Sequence, residues 1–333
     1  MRLTGKSAAA MACVCAMGIA ACGDDGGSSG GSSGGGDKQY SVSFIVGQKG
    51  PAFYTNMLCG ASNAAEKLGV KLSTAGAPEW GPAQQLPLIN SSLAKNPDAL
   101  IVVPTDPKGL NPVLKRAKAD GVKVFTADTQ LESGSGIETA ALTSAGEEGG
   151  KQAADALAKL IGDKGTVVPI SNPPGISTSA ARLKGFLVQM EAAHPNIKVL
   201  KTQYNDTTPQ KSASLVTSSL SANPDITGVF ATDDVGVIGS GTALRNAKKT
   251  DGISLVGFDA DPTLIKALES GAADALIAQR PDVQGQKAVE EAVAALKGDK
   301  VAALTQTPHV VITRDNLNSP ASQEAAYKET CSG

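Results

Sequence analysis

Two similar α/β lobes, each built on a doubly wound parallel sheet, are the architecture that this sequence predicts. Three observations predict it. At 333 residues the chain is too long for one typical domain and suits two. Residues 253–280 read as strand, helix, strand, helix, with a polar residue at the end of each strand. Finally, the phrase SLAKNPDALIVVPTD at 92–106 returns as SLSANPDITGVFATD at 219–233, so one helix–turn–strand unit is used twice.

Within 253–280 the first apolar run stops at Asp259. Asp261-Pro262 then reads as an N-cap followed by proline at the first helical position. Leu264, Ile265 and Leu268 recur at helical spacing before Gly271 ends the helix. The second run halts at Gln279, and Pro281 opens another helix. Ligands of open parallel sheets bind beyond the C-terminal strand ends. Asp259 and Gln279 are therefore expected in a cleft, the plainer alternative being polar turn residues.

Composition narrows the function classes. Hydrophobic content of 41% and charged content of 19% are ordinary for a soluble globular chain. A net charge of −2 without a basic cluster excludes nucleic acid and an anionic membrane surface as obvious partners. Neither His194 nor His309 has a Cys, Ser or carboxylate at a telling spacing, and no zinc, P-loop or dinucleotide motif is present. No catalytic residue, metal or cofactor is expected. Aromatic residues make up only 3% of the chain, so an aromatic in a loop carries weight.

Arg2 and Lys6 precede an apolar run over 8–21 that is too short to span a bilayer and has the layout of a secretory signal peptide. The run ends Ile19-Ala20-Ala21-Cys22-Gly23, which resembles a bacterial lipobox. Residues 1–21 are thus expected to be removed, Cys22 to carry lipid, and the Gly/Ser-rich stretch 22–39 to act as a tether.

Folded structure is expected from Tyr40, with a strand over 41–46 and Phe53 and Tyr54 where the following loop enters a helix. The chain's one tryptophan, Trp80, lies in a Pro/Gly-rich loop after a strand near 70–73. It either caps the cleft or packs outside the helix 83–93, and the cleft is preferred. The strand 122–127 ends at Asp128, with Thr129 next. Helices are expected over 147–161 and 177–193, the latter carrying Arg182, with a strand over 166–171 between them. A strand over 199–203 leads to Thr207, and the strand 228–232 ends at Asp233-Asp234, Asp234 being read as a helix cap. Residues 310–313 form the closing strand.

VGFDADP followed by a helix and IAQRPDVQG resembles the sugar-binding signature of ribose-binding-type periplasmic binding proteins. That signature is shared with the core of LacI-type regulators. The similarity runs over 40–314. It implies the type I fold, in which a three-stranded hinge joins the lobes. The N-terminal lobe is then 40–142 plus 280–308, the C-terminal lobe 143–279 plus 309–317, and 318–333 a tail. A regulator would need an N-terminal helix-turn-helix, where this chain has a signal and a tether.

The resemblance also implies a ligand set. Phe53 and Tyr54 match an aromatic pair that stacks on the sugar, and Asp128 matches an acceptor for its hydroxyls. Arg182, three residues before Gly185-Phe186, matches an arginine that reaches the sugar, and Asp233 matches a ligand-contacting asparagine. Pro51, Thr129 and Thr207 stand where the ribose pattern has asparagine, arginine and an aromatic, so the ligand need not be ribose. Arg182 and Asp259 are expected to face an open, hydrated cleft when no ligand is bound. The implied function is capture of a small sugar or polyol for the permease of an ABC importer, by a monomer lipid-anchored outside the cytoplasmic membrane. A receptor for a sugar-like signalling molecule of the autoinducer type is the alternative.

Cys13 and Cys15 leave with the signal, so Cys59 and Cys331 are the thiols remaining once Cys22 is acylated. In an oxidising compartment they are expected to pair, tying the tail 318–333 onto the N-terminal lobe. Two unpaired thiols are the alternative.

Overall fold

Strands and helices alternate from Ser41 onward in the computed structural model, which describes residues 39–331. The signal segment, Cys22 and the tether up to residue 38 lie outside the described residues. The first lobe opens with β1 (Ser41–Val46), α1 (Ala52–Leu68), β2 (Lys71–Gly76), α2 (Pro82–Leu93), β3 (Ala99–Val102), α3 (Asn111–Ala119), β4 (Lys123–Ala127) and β5 (Ala140–Ser144). The chain then crosses to the second lobe. There it forms α4 (Gly146–Ile161), β6 (Gly165–Ser171), α5 (Ser177–Ala193), β7 (Ile197–Val199), β8 (Gln203–Tyr204) and α6 (Pro209–Ala222). β9 (Ile226–Ala231), α7 (Asp234–Asn246), β10 (Ser254–Phe258), α8 (Pro262–Glu269) and β11 (Ala275–Ala278) follow. α9 (Pro281–Lys297) and β12 (Leu304–Thr307) return to the first lobe; β13 (Val310–Thr313) and α10 (Pro320–Ala325) complete the second.

The first sheet has the order β12-β5-β4-β3-β1-β2 and is wholly parallel. The second runs β13-β11-β10-β9-β6-β7. Five strands of each share one doubly wound order, which is the duplication heard in the repeated phrase. β13 departs from the expected parallel arrangement and pairs antiparallel with β11. It enters directly from β12 at the cleft end of the sheet, without a crossover helix to turn it round. The strand expected over 199–203 is also divided. β6 pairs Val167 with Val199 but Ile170 with Gln203, one residue out of step, around Pro169, which has no N–H for the ladder.

Alternation along the strands gives each sheet two buried faces. Val42, Phe44 and Val46 pack under α1 and α9, whereas Ile45 faces the cluster of Leu100, Leu110 and Leu114. In the second sheet Val229 and Leu255 lie on one side, Phe230, Val256 and Phe258 on the other. The helices that enter each lobe by crossing cross their neighbours glycine against glycine. A Cβ on Gly60 would meet the Asp282 carbonyl and one on Gly285 the Met57 carbonyl. Gly150 and Gly185 repeat the arrangement against the Arg182 and Glu147 carbonyls. Only hydrogen side chains permit these approaches.

Two expected boundaries are corrected. β5 stays in the first sheet to Ser144, so the first crossing falls at Ala145 rather than after residue 142. The tail lies on the N-terminal lobe only at its end. Leu317, Ala325 and Tyr327 are buried in the second-lobe core because their apolar side chains fill the space beside β13. Beyond them Cys331 is disulfide-bonded to Cys59 on α1, with Cα atoms 5.4 Å apart. Closing a loop across 272 residues contributes about 5.6 kcal/mol in the chain-entropy model.

Candidate functional site

The C-terminal strand ends of both sheets open into one cleft of about 810 Å³. All ten residues singled out from the sequence line it: Phe53, Tyr54, Trp80, Asp128 and Thr129 from the first lobe, with Arg182, Thr207, Asp233, Asp259 and Gln279. Their exposure differs widely. Thr207 stands at the exposed margin, while Arg182 and Gln279 are 4% and 2% exposed.

Asp128 and Asp259 occupy equivalent positions, one residue past β4 and β10. Both have left-handed backbones, with φ of 61° and 79°, a conformation that aspartate tolerates better than most residues. The Asp128 amide donates to the Leu142 carbonyl and the Asp259 amide to that of Ile277 (2.8 and 3.1 Å). Each carboxylate is thus turned out of its sheet into the cleft. Tyr54 Oη donates to Asp128 Oδ2 (3.1 Å). Burial pushes the Asp128 carboxyl up to about 6, against the opposing pull of Arg182 and the Tyr54 hydrogen bond.

Asp259 Oδ1 accepts from Gln279 Nε2 (2.6 Å) and from Tyr327 Oη (2.9 Å). Its Oδ2 lies 3.9 Å from Arg182 Nη1. The expectation of an arginine standing in open water is corrected here. Arg182 lies with its guanidinium carbon 4.4 Å from the centre of the Phe258 ring, and Nη1 donates to the Thr232 carbonyl (2.8 Å). A guanidinium is planar and more weakly hydrated than an ammonium, and the Phe258 face with the Thr232 carbonyl offsets part of the cost of burying it in the wall. Its Nε and the Gln279 Oε1 are buried and have no partner among the described residues.

At the start of α7 the cap is the first of the two aspartates, and both line the cleft. Asp233 is the cap: its extended backbone sets Oδ1 over the Gly236 amide (3.1 Å), and Asn205 Nδ2 donates to the same oxygen (3.3 Å). Asp234, read as the cap, instead lines the cleft. Burial raises Asp233 to about 6. Burial also raises Asp234, with Asp259 and Asp233 adding to the effect.

The first-lobe wall is aromatic. Tyr54 and Trp80 stack with centroids 6.3 Å apart at 21°, and Phe53 packs edge-on to Tyr54 at 5.1 Å. Trp80 is 45% exposed and lies over Gly47, where a Cβ would collide with its ring. Thr129 Oγ1 donates to the Pro104 carbonyl (2.7 Å), so its proton is engaged within the wall.

Sequence reasoning missed Tyr327 and Glu329 of the tail, as well as Asp234. An aromatic four residues before a pairing cysteine, in a chain with so few aromatics, was the available signal. It also missed His309 in the third crossing, which packs edge-on to Phe258 (5.5 Å). Among the described residues no cluster of His, Cys, Asp and Glu is arranged to hold a metal ion. The chemistry on offer is hydrogen-bond acceptance by carboxylates, donation by Arg182 and Gln279, and aromatic faces for apolar ligand surface.

Known proteins resemble this chain in sequence and fold. A family model described as a periplasmic binding protein domain matches residues 42–300. The ribose import binding protein of Escherichia coli K12 is 33% identical over 263 residues, 79% of this chain and 87% of that protein. An ABC transporter solute-binding protein from Agrobacterium vitis, bound with α-D-tagatopyranose, superposes with a TM-score of 0.81 at 35% identity, over 87% of this chain and 100% of the other. A carbohydrate transporter solute-binding protein from Agrobacterium radiobacter, in complex with D-arabinose, gives 0.77 at 30% identity, over 87% and 99%. With two parallel-sheet lobes, a shared strand order and these matches, the chain belongs to the periplasmic binding protein family.

Proposed function

We propose that the chain is an extracytoplasmic solute-binding protein that captures a monosaccharide or polyol between its lobes and delivers it to the permease of an ABC importer. The observation that carries the reading is the convergence of Asp128 from one lobe with Arg182, Asp233 and Asp259 from the other on a cleft walled by Tyr54 and Trp80. Carboxylates accept from sugar hydroxyls while aromatic faces cover the C–H surface. A ligand that touches both lobes favours the closed form over the open one. The named relatives bind or import ribose, tagatose and arabinose, which supports import over signalling. The protein works as a monomer, carries out no catalysis, and is held at the membrane by lipid on Cys22.

A thermal-shift panel of D-ribose, D-tagatose, D-arabinose and common polyols tests the ligand class, because a ligand that binds only the folded state raises the melting midpoint. Saturable upshift with at least one sugar supports the reading, and a flat panel counts against it. Cys22→Ala, expressed in the native host, should move the protein from the membrane fraction to the soluble one. Retention at the membrane would refute the anchor.

A further inference from the structure

The C-terminal segment reaches the cleft, which Tyr327 and Glu329 line. Tyr327 is 5% exposed, and its amide donates to the Ala260 carbonyl (2.9 Å). Its hydroxyl donates to Asp259 Oδ1 (2.9 Å) and accepts from the Gln279 amide (3.2 Å). The next residue is already on the other lobe. The Lys328 amide donates to Asn56 Oδ1 (3.2 Å), and Asn56 Nδ2 donates to the Lys328 carbonyl (2.7 Å). The Phe53 and Tyr327 rings meet edge-on at 5.7 Å, and Cys331 bonds to Cys59.

Resting on the sugar-site reading, we propose that residues 318–331 form a fourth, covalently closed crossing of the hinge, and that Tyr327 is a positioning residue that orients Asp259 toward the ligand. The geometry gives Tyr327 two tasks. Its hydroxyl and Gln279 Nε2 together hold Asp259 Oδ1, which leaves Oδ2 turned toward Arg182 and the cleft. The same hydroxyl is the acceptor for the Gln279 amide at the second crossing. Burial, with the Asp259 charge beside it, pushes the phenol well above its ordinary range, so it stays a donor. The strap is anchored by packing on the second lobe and by a covalent bond on the first. Opening of the cleft therefore pulls on Tyr327, and the disulfide limits how far it moves.

Two readouts on the full oxidised chain test this. The first needs no sugar: amide hydrogen exchange in wild type and in the Cys59→Ser/Cys331→Ser variant. The Tyr327 and Lys328 amides should exchange at least about tenfold faster without the disulfide, as local opening becomes easier. Unchanged exchange overturns the strap. The second is calorimetry with the tightest binder among D-tagatose, D-ribose and D-arabinose. Tyr327→Phe should weaken it about tenfold, the effect of one charge-assisted hydrogen bond. Tyr327→Phe combined with Asp259→Asn should bind no more weakly than Asp259→Asn alone, because the hydroxyl acts through that carboxylate. Additive losses, or unchanged affinity in Tyr327→Phe, overturn the positioning role. If none of the three sugars binds wild type, the sugar reading fails, while the exchange readout still decides the strap.

Discussion

Asp128 and Asp259 are the same residue in two lobes: each follows the fourth strand of its sheet in a left-handed conformation, and each gives its amide to the carbonyl of the strand beside it. Their surroundings differ. Asp128 has Tyr54 as partner, whereas Asp259 has Gln279, Tyr327 and, more distantly, Arg182. A duplicated fold thus carries one acceptor in each half, and the donors around them distinguish the lobes.

Arg182→Ala should weaken both folding and ligand binding. The side chain covers Phe258 and satisfies the Thr232 carbonyl, so its loss removes packing as well as charge. A loss of about 1.5–3 kcal/mol in apo stability is expected from the orphaned charge-assisted contacts. Chemical denaturation without sugar measures it. An unchanged midpoint would mean that the guanidinium is held less firmly than the geometry indicates.

The cleft carboxylates predict a pH dependence. Asp128 and Asp233 stand at about 6 in the folded protein, above the ordinary 3.8. Their contribution to stability is fully present below the unfolded value and is lost as pH rises through about 6. Relative to wild type, Asp128→Asn should therefore gain stability as pH increases from 4 to 7 (roughly the window between the two values). Sugar hydroxyls donate to the ionised form, so affinity should rise through the same window. Calorimetry at several pH values reads it directly.

His309 works in the opposite direction. Both of its ring nitrogens are buried without a partner among the described residues, and burial beside Arg182 pulls its pKa from 6.5 down to about 3. The folded state resists protonation, so this contribution is present above 6.5 and is lost as pH falls toward 3. His309→Phe should remove that acid loss and leave stability at neutral pH unchanged or improved, since an apolar ring needs no partner. Melting curves across the acid range check it.

Gly150→Ala and Gly185→Ala should each destabilise the second lobe by about 1–3 kcal/mol, because the added Cβ meets backbone that must move. Gly150→Ala should also lower affinity, since the atom displaced is the Arg182 carbonyl. Wild-type behaviour in both assays would contradict the close crossing of α4 and α5.

Much of this was legible in the chain because strand ends are local events. Asp128, Asp233, Asp259 and Gln279 each stop an apolar run, and that position alone directs them to the cleft. Arg182 sits within a helix, where spacing does not separate it from a solvated residue; the motif around Gly185-Phe186 located it. Its withdrawal onto Phe258 was not readable, since that contact joins positions 76 residues apart in sequence. Tyr327 was missed for the same reason: its partner Asp259 is 68 residues away, and no periodic pattern runs through the tail. The antiparallel course of β13 depended on a crossing with no helix, which an apolar run of four residues does not announce.

The most direct test of the cleft as a two-lobed sugar site is calorimetric titration of wild type and the Asp128→Asn/Asp259→Asn variant with D-tagatose, D-ribose and D-arabinose. Asparagine keeps the left-handed backbone and the side-chain shape, so the apo fold should survive. Wild type should bind at least one of these sugars at one site per chain. The double variant should lose about tenfold or more in affinity for that sugar while its apo form still melts cooperatively. Equal affinity in the two proteins, or no binding of any of these sugars by wild type, would contradict the account.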